Sequence, residues 1–189
     1  MDLKQEVEKP INQVNKKEVT ESIEAQAFGE YEVLENDFKY MQIALQEAQN
    51  AYELDETPIG AVIVYKDEII GRACNRRNTN KNSLAHAEVL AIQEACEAIG
   101  DWRLEECSIY ITLEPCPMCA GAIVQSRIPR VVYGASSPKA GFGGSLLNIL
   151  EMEALNHRCE VVRGVMEEES SALLKNYFKT MRKKGKNNH

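Results

Sequence analysis

The chain has 189 residues, 44% of them hydrophobic and 27% charged, enough for one domain with a sizeable core and some length to spare. No stretch approaches the roughly 20 apolar residues of a membrane span. The polar start MDLKQEVEKP lacks the apolar core of a secretory signal, so a cytoplasmic protein with no membrane association is expected. The net charge of −7 argues against a nucleic-acid partner only until its distribution is read. Residues 1–37 hold ten acids against four lysines, whereas the last eleven hold Lys179, Arg182, Lys183, Lys184 and Lys186 and no acid.

Residues 1–36 are rich in Glu, Lys, Gln and Asn, with faint apolar spacing, and read as an acidic, flexible extension that buries too little to offset its ordering entropy. A helix follows, capped by Asp37, with Phe38, Met41, Leu45, Ala48 and Tyr52 at three- and four-residue steps. Pro58 and Gly60 open a strand over 61–65, and Lys66-Asp67 turns it into a second over 68–73. The polar loop 75–83 leads to a helix over 85–99, ended by Gly100. Then come a strand over 108–113, a helix started by Pro115 and running to Ser126, and a strand over 131–133. A glycine-rich loop (Gly141, Gly143, Gly144), a strand over 159–165 and a helix over 167–184 complete a domain spanning 37–184, with 185–189 as a basic, polar tail. A hairpin followed by strands joined through helices predicts an α/β protein with a mixed five-stranded sheet.

The residues that carry chemistry are His86-Ala87-Glu88 and Pro115-Cys116-Pro117-Met118-Cys119. Zinc takes imidazole nitrogen and thiolate sulfur in a tetrahedron, and three protein ligands leave the fourth position open for water. Cys116 and Cys119, three apart at a helix start, lie where the helix dipole favours thiolates, and His86 supplies a third ligand from another helix start. Glu88 then serves as proton carrier. Two residues on an ideal helix differ by about 200°, so His86 and Glu88 converge only if His86 stands outside helical geometry. A Cys-x-x-Cys pair by itself reads equally as a scaffold zinc or two core thiols. The remaining cysteines read as small buried hydrophobes, and His157 as a structural residue.

The combination H-x-E and P-C-x-x-C matches the zinc deaminase signature. From about Asp37 to Arg182 the chain resembles the bacterial tRNA adenosine deaminases. The resemblance rests on Pro58-Ile59-Gly60-Ala61-Val62, Asn75-Arg76, the run from Leu113 to Ile123, Ser126-Arg127-Ile128 and the run from Arg130 to Ala135. Lys139, Gly144-Ser145-Leu146, Asn156-His157-Arg158 and Phe178 extend it. It implies a three-layer α/β/α cytidine deaminase-like fold, a homodimer, and one zinc ion per subunit on His86, Cys116 and Cys119. The implied activity is hydrolysis of wobble adenosine to inosine in a tRNA anticodon loop, by zinc-activated water with Glu88 shuttling protons. It further implies substrate contacts from Asn75, Ala87, Ser137, Lys139, Phe178 and Arg182. Ser137 stands where this family usually carries an acidic residue. A deaminase of a free nucleobase or nucleotide, and a non-catalytic zinc module, are the competing readings. The first would need a closed pocket without a basic tail, the second a fourth protein ligand.

Overall fold

A computed structural model of the chain describes residues 31–186, so residues 1–30, the bulk of the acidic extension, and residues 187–189 lie outside it. Helix α1 (Glu35–Glu53) precedes the hairpin β1 (Gly60–Tyr65) and β2 (Glu68–Cys74). Then follow α2 (Ala87–Ile99), β3 (Cys107–Leu113), α3 (Pro117–Gln125), β4 (Arg130–Ala135), β5 (Glu160–Arg163) and α4 (Glu167–Lys186). The hairpin turn is made by Lys66 and Asp67, both left-handed with φ of 48° and 64°, the twist that suits a two-residue connection. Among the described residues no helix is long and apolar enough to cross a membrane.

The strands form one sheet in the order β2-β1-β3-β4-β5. β1 is antiparallel to both its neighbours, and β3, β4 and β5 are mutually parallel. Strands β2, β3, β4 and β5 therefore point the same way, and the loops leaving β2, β3 and β4 all emerge at one edge of the sheet. In open α/β sheets that carboxyl edge is where ligands bind.

Alternate strand residues feed two cores, as a sheet covered on both faces requires. Ala61, Ile63, Ile109, Ile111, Val131, Tyr133 and Val161 pack with Ala87, Ala91, Ala95, Ala120 and Ile123 of α2 and α3. Val62, Val64, Tyr110, Val132 and Val162 pack with Tyr40, Met41 and Ala44 of α1, and α4 joins α1 on that face. The mixed five-stranded sheet and three α/β/α layers are thus as expected. The alanine ridge of α2 presses so closely on β2 that a Cβ at Gly71 would lie 2.4 Å from the Ala91 carbonyl oxygen.

Three helix starts differ from expectation, the simplest being α2, which begins at Ala87 rather than at residue 85 because His86 is its cap. The cap of α1 is Leu34, and Asp37 sits in the first turn, where its Oδ2 accepts the Leu34 N–H at 2.8 Å. The same fully buried carboxylate accepts from Tyr110 Oη at 3.0 Å and from Arg130 Nη2 at 2.8 Å. Its charge is satisfied by partners far away in sequence, which turns it inward. The buried face of α1 is accordingly rotated to Asp37, Tyr40, Met41, Ala44, Glu47, Ala48 and Ala51, leaving Phe38, Leu45 and Tyr52 half-buried. Val33 is buried, and Glu32 O accepts from Arg130, so packing already involves residues just before the helix. In α3 the first helical residue is Pro117 rather than Pro115, because Cys116 itself is the cap.

Candidate metal centre and active site

His86 ends the loop after β2 as the cap of α2, with extended φ −81° and ψ 150°, while its carbonyl already accepts the Leu90 N–H at 3.0 Å. The ring is thereby freed from the helix, whereas Glu88, inside the first turn, is turned inward and only 3% exposed. Cys116 caps α3 in the same way, with φ −72° and ψ 171°, and Cys119 follows in the first turn. Both helices start at the carboxyl edge of the sheet, which is why residues 30 apart meet.

His86 Nδ1 lies 3.7 Å from Cys116 Sγ and 3.5 Å from Cys119 Sγ, and all three donor atoms are within 4.8 Å of one another. Zinc bonds of about 2.0 Å to nitrogen and about 2.3 Å to sulfur at tetrahedral angles require an N···S separation of about 3.5 Å. The donor set therefore fits zinc in both chemistry and spacing. The Cys116 thiol is lowered to about 5, chiefly because Cys119 Sγ donates to it, with the N–H groups of Cys119 and Met118 and the His86 charge helping. Cys119 is pushed up by the same shared proton and by burial.

Glu88 lies beside this cluster. Burial holds its carboxyl above the usual range, opposed by its own backbone N–H, with negative charge on Cys116 adding to the rise. Its Oε2 is buried and has no hydrogen-bond partner among the described residues. A buried carboxylate oxygen without a donor is costly unless something absent from the chain itself, such as water or substrate, completes it. His157 is not part of the cluster, and its Nε2 bonds the Ile128 carbonyl at 2.8 Å. All six cysteines are free; Cys74, Cys107 and Cys159 are buried, and Cys96 is half-buried.

The resemblance to known proteins can be placed on this geometry. The chain matches the MafB19-like deaminase family over residues 35–182. It is 55% identical over 147 residues to the tRNA-specific adenosine deaminase of Bacillus subtilis, covering 78% of this chain and 91% of that protein. The chain belongs to the tRNA-specific adenosine deaminase family. The family's member from Aquifex aeolicus is 45% identical over 143 residues, covering 76% of this chain and 94% of the relative. Among solved structures, one from a study of A-to-I editing by tRNA:A34 deaminases at the wobble position superposes with a TM-score of 0.70 at 43% identity. It covers 72% of this chain and 99% of the other. A guanine deaminase from Nitrosomonas europaea shares the fold at 26% identity, with a TM-score of 0.65 over 81% of this chain and 90% of its own.

The other expected site residues lie outside the donor cluster. Ala87 is fully buried as the first residue of α2. Asn75 is buried at the end of β2, its Nδ2 donating to Glu56 Oε2 at 3.3 Å. Ser137 is half-buried and Lys139 exposed, both in the loop after β4. Phe178 and Arg182 are exposed on α4. Tyr177 beside them is buried, donating to the Asp55 carbonyl at 2.9 Å, and Lys184 pairs with Asp55 at 2.6 Å. The side chain of Lys186 lies outside the described residues.

Two buried carboxylates, Glu56 and Glu114, gather donors that sequence spacing does not reveal. Glu56, fully buried, accepts from Asn75, from Asn78 Nδ2 at 3.2 Å and from the Thr79 N–H at 2.6 Å, holding the loop that carries Asn75. Glu114, 2% exposed, accepts from the loop after β4. Glu114 is visible in the sequence only as the residue between a strand end and the Pro-Cys pair; nothing local marks its partners.

Proposed function

We infer that this protein hydrolyses adenosine to inosine at the wobble position of a tRNA anticodon, using one zinc ion per subunit. The observation carrying this reading is the donor set His86, Cys116 and Cys119 with buried, half-satisfied Glu88 beside it, in a chain of this family. Zinc bound to those three residues would supply the Lewis acid that activates water near neutral pH. Glu88 does the proton work. Its free Oε2 takes a proton from the attacking water and gives it to purine N1 as C6 becomes tetrahedral. It then takes the second proton from the new C6 hydroxyl and passes it to the departing amine, so that C6 becomes a carbonyl, water is consumed and ammonia is released. Burial favours the protonated carboxyl of Glu88, which suits a group that must both take and give a proton.

The buried Ala87 backbone and Asn75 hold the base and nucleoside in this reading, while Ser137 and Lys139 meet the RNA backbone. Phe178 and Arg182 on α4 extend the contact. An anticodon-loop base is already unpaired, so taking it into the site costs little. The catalytic domain spans 37–184, with Val33 ahead of it buried in its core, and functions as a cytoplasmic homodimer. Incubating the zinc-loaded protein with total tRNA and, separately, with free bases and nucleosides tests the reading. Inosine at the first anticodon position is expected, and turnover confined to a free base would overturn it.

A further inference from the structure

The geometry points to Glu114 as a positioning residue for RNA, one that holds the loop after β4 in the shape that meets the substrate; this rests on the tRNA reading above. Glu114 is the last residue before Pro115 and Cys116, and its carboxylate is almost wholly buried. Oε2 accepts the Ser137 N–H at 2.8 Å and the Ser145 hydroxyl. Oε1 accepts the Gly143 N–H at 3.0 Å and the Ser145 N–H at 2.9 Å. One carboxylate thus gathers four donors from a nine-residue stretch (137–145) that has no ladder of its own beyond a single bridge between Gly143 and Asn148.

The loop is shaped around this group. A Cβ at Gly141 would stand 2.1 Å from Glu114 Oε2, so only glycine lets the chain wrap the carboxylate this closely. The Phe142 N–H donates to the Pro115 carbonyl at 2.9 Å, tying the same loop to the residue before the Cys116 donor. The Gly143 peptide is clamped from its other end by Arg163, whose Nε and Nη2 reach its carbonyl at 3.2 and 3.1 Å. The loop's inner side is therefore fixed to the end of the strand that leads to the two cysteine donors, and its outer side exposes Ser136, Lys139 and Ala140. Three of the four donors are backbone N–H groups, which cannot rotate away, so the anchor has to be an acceptor at both oxygens. Glutamate meets that demand. Glutamine would point its amide hydrogens at at least one of these N–H groups.

Glu114→Gln and, independently, Gly141→Ala in the full-length zinc-loaded protein test this. Binding is read by fluorescence anisotropy on an anticodon stem-loop, in a Glu88→Gln background to prevent turnover, and KM and kcat are measured in the active background. Both variants are expected to raise Kd and KM by about tenfold or more while kcat changes far less, because the chemistry at Glu88 is not displaced. Zinc content should stay at one per chain, and the Gly143 and Ser145 amides should exchange faster with solvent. Ser145→Ala, which removes only the hydroxyl donor, should give a smaller effect in the same direction. Unchanged Kd and KM in both variants would overturn the inference, as would loss of zinc in step with activity, which would make Glu114 a prop of the metal donors. Wild-type protein that fails to bind the stem-loop would instead sink the functional reading.

Discussion

Glu88→Gln is the sharpest perturbation, because it changes the proton chemistry and almost nothing else. Glutamine has nearly the same volume, so the 3%-exposed site gains no cavity. The variant has no group able to carry a proton from water to purine, and such a group contributes about 10²–10⁴-fold to rate. At about 1.4 kcal/mol per factor of ten, that is about 3–5 kcal/mol added to the barrier. The same change relieves the fold. Glu88 Oε2 has no donor among the described residues, and burial opposes its charge, so a neutral amide is easier to bury. The metal-free variant is therefore expected to melt at or above the wild-type temperature, each 1 kcal/mol being about 2–4 °C for a domain of this size. Single-turnover deamination of tRNA, metal analysis and a thermal scan read all three consequences. Activity within tenfold of wild type would refute the proton assignment, and zinc lost in proportion to activity would make Glu88 a ligand.

Asp37→Ala strips a fully buried carboxylate from Arg130, Tyr110 and the Leu34 N–H, and should cost about 3–5 kcal/mol in denaturant unfolding. A cost under about 1 kcal/mol would show Arg130 satisfied by Glu160 alone. Removing residues 1–30 should leave zinc content and turnover near wild type. A chain starting at Glu35 also loses buried Val33 and should be less stable by about 1.5–3 kcal/mol in the same assay, whereas equal stability of the two truncations would deny Val33 a place in the core. Replacing exposed Lys179, Arg182 and Lys183 together by alanine should weaken tRNA binding. Every phosphate that is no longer neutralised lowers the log–log salt slope by about 0.7–0.9. An unchanged slope would make these residues an ordinary solvated helix end, and because Thr180 and Lys184 hold α4 to Tyr52 and Asp55, point substitution is cleaner than truncation.

Much of this protein is legible in its sequence, because some of its signals are local. Short apolar runs, three- and four-residue apolar steps, a two-residue turn and glycine or proline at element ends specify strands and helices wherever the chain folds. The spacing of His86, Glu88, Cys116 and Cys119 names a metal chemistry, since ligand type and reach are properties of the residues themselves. Their convergence was conditional. His86 and Glu88 oppose each other on an ideal helix, and only the extended backbone of His86 as cap of α2 lets both serve one centre. Asp37 shows why local rules then fail: an acid before a periodic run looks like a cap, yet its partners Tyr110 and Arg130 are 73 and 93 residues away. Glu56 and Glu114 look like ordinary solvated charges for the same reason. A carboxylate can be buried only where enough donors surround it, and those donors were brought to it by the sheet order and by loops meeting at one edge, which no neighbouring residue encodes.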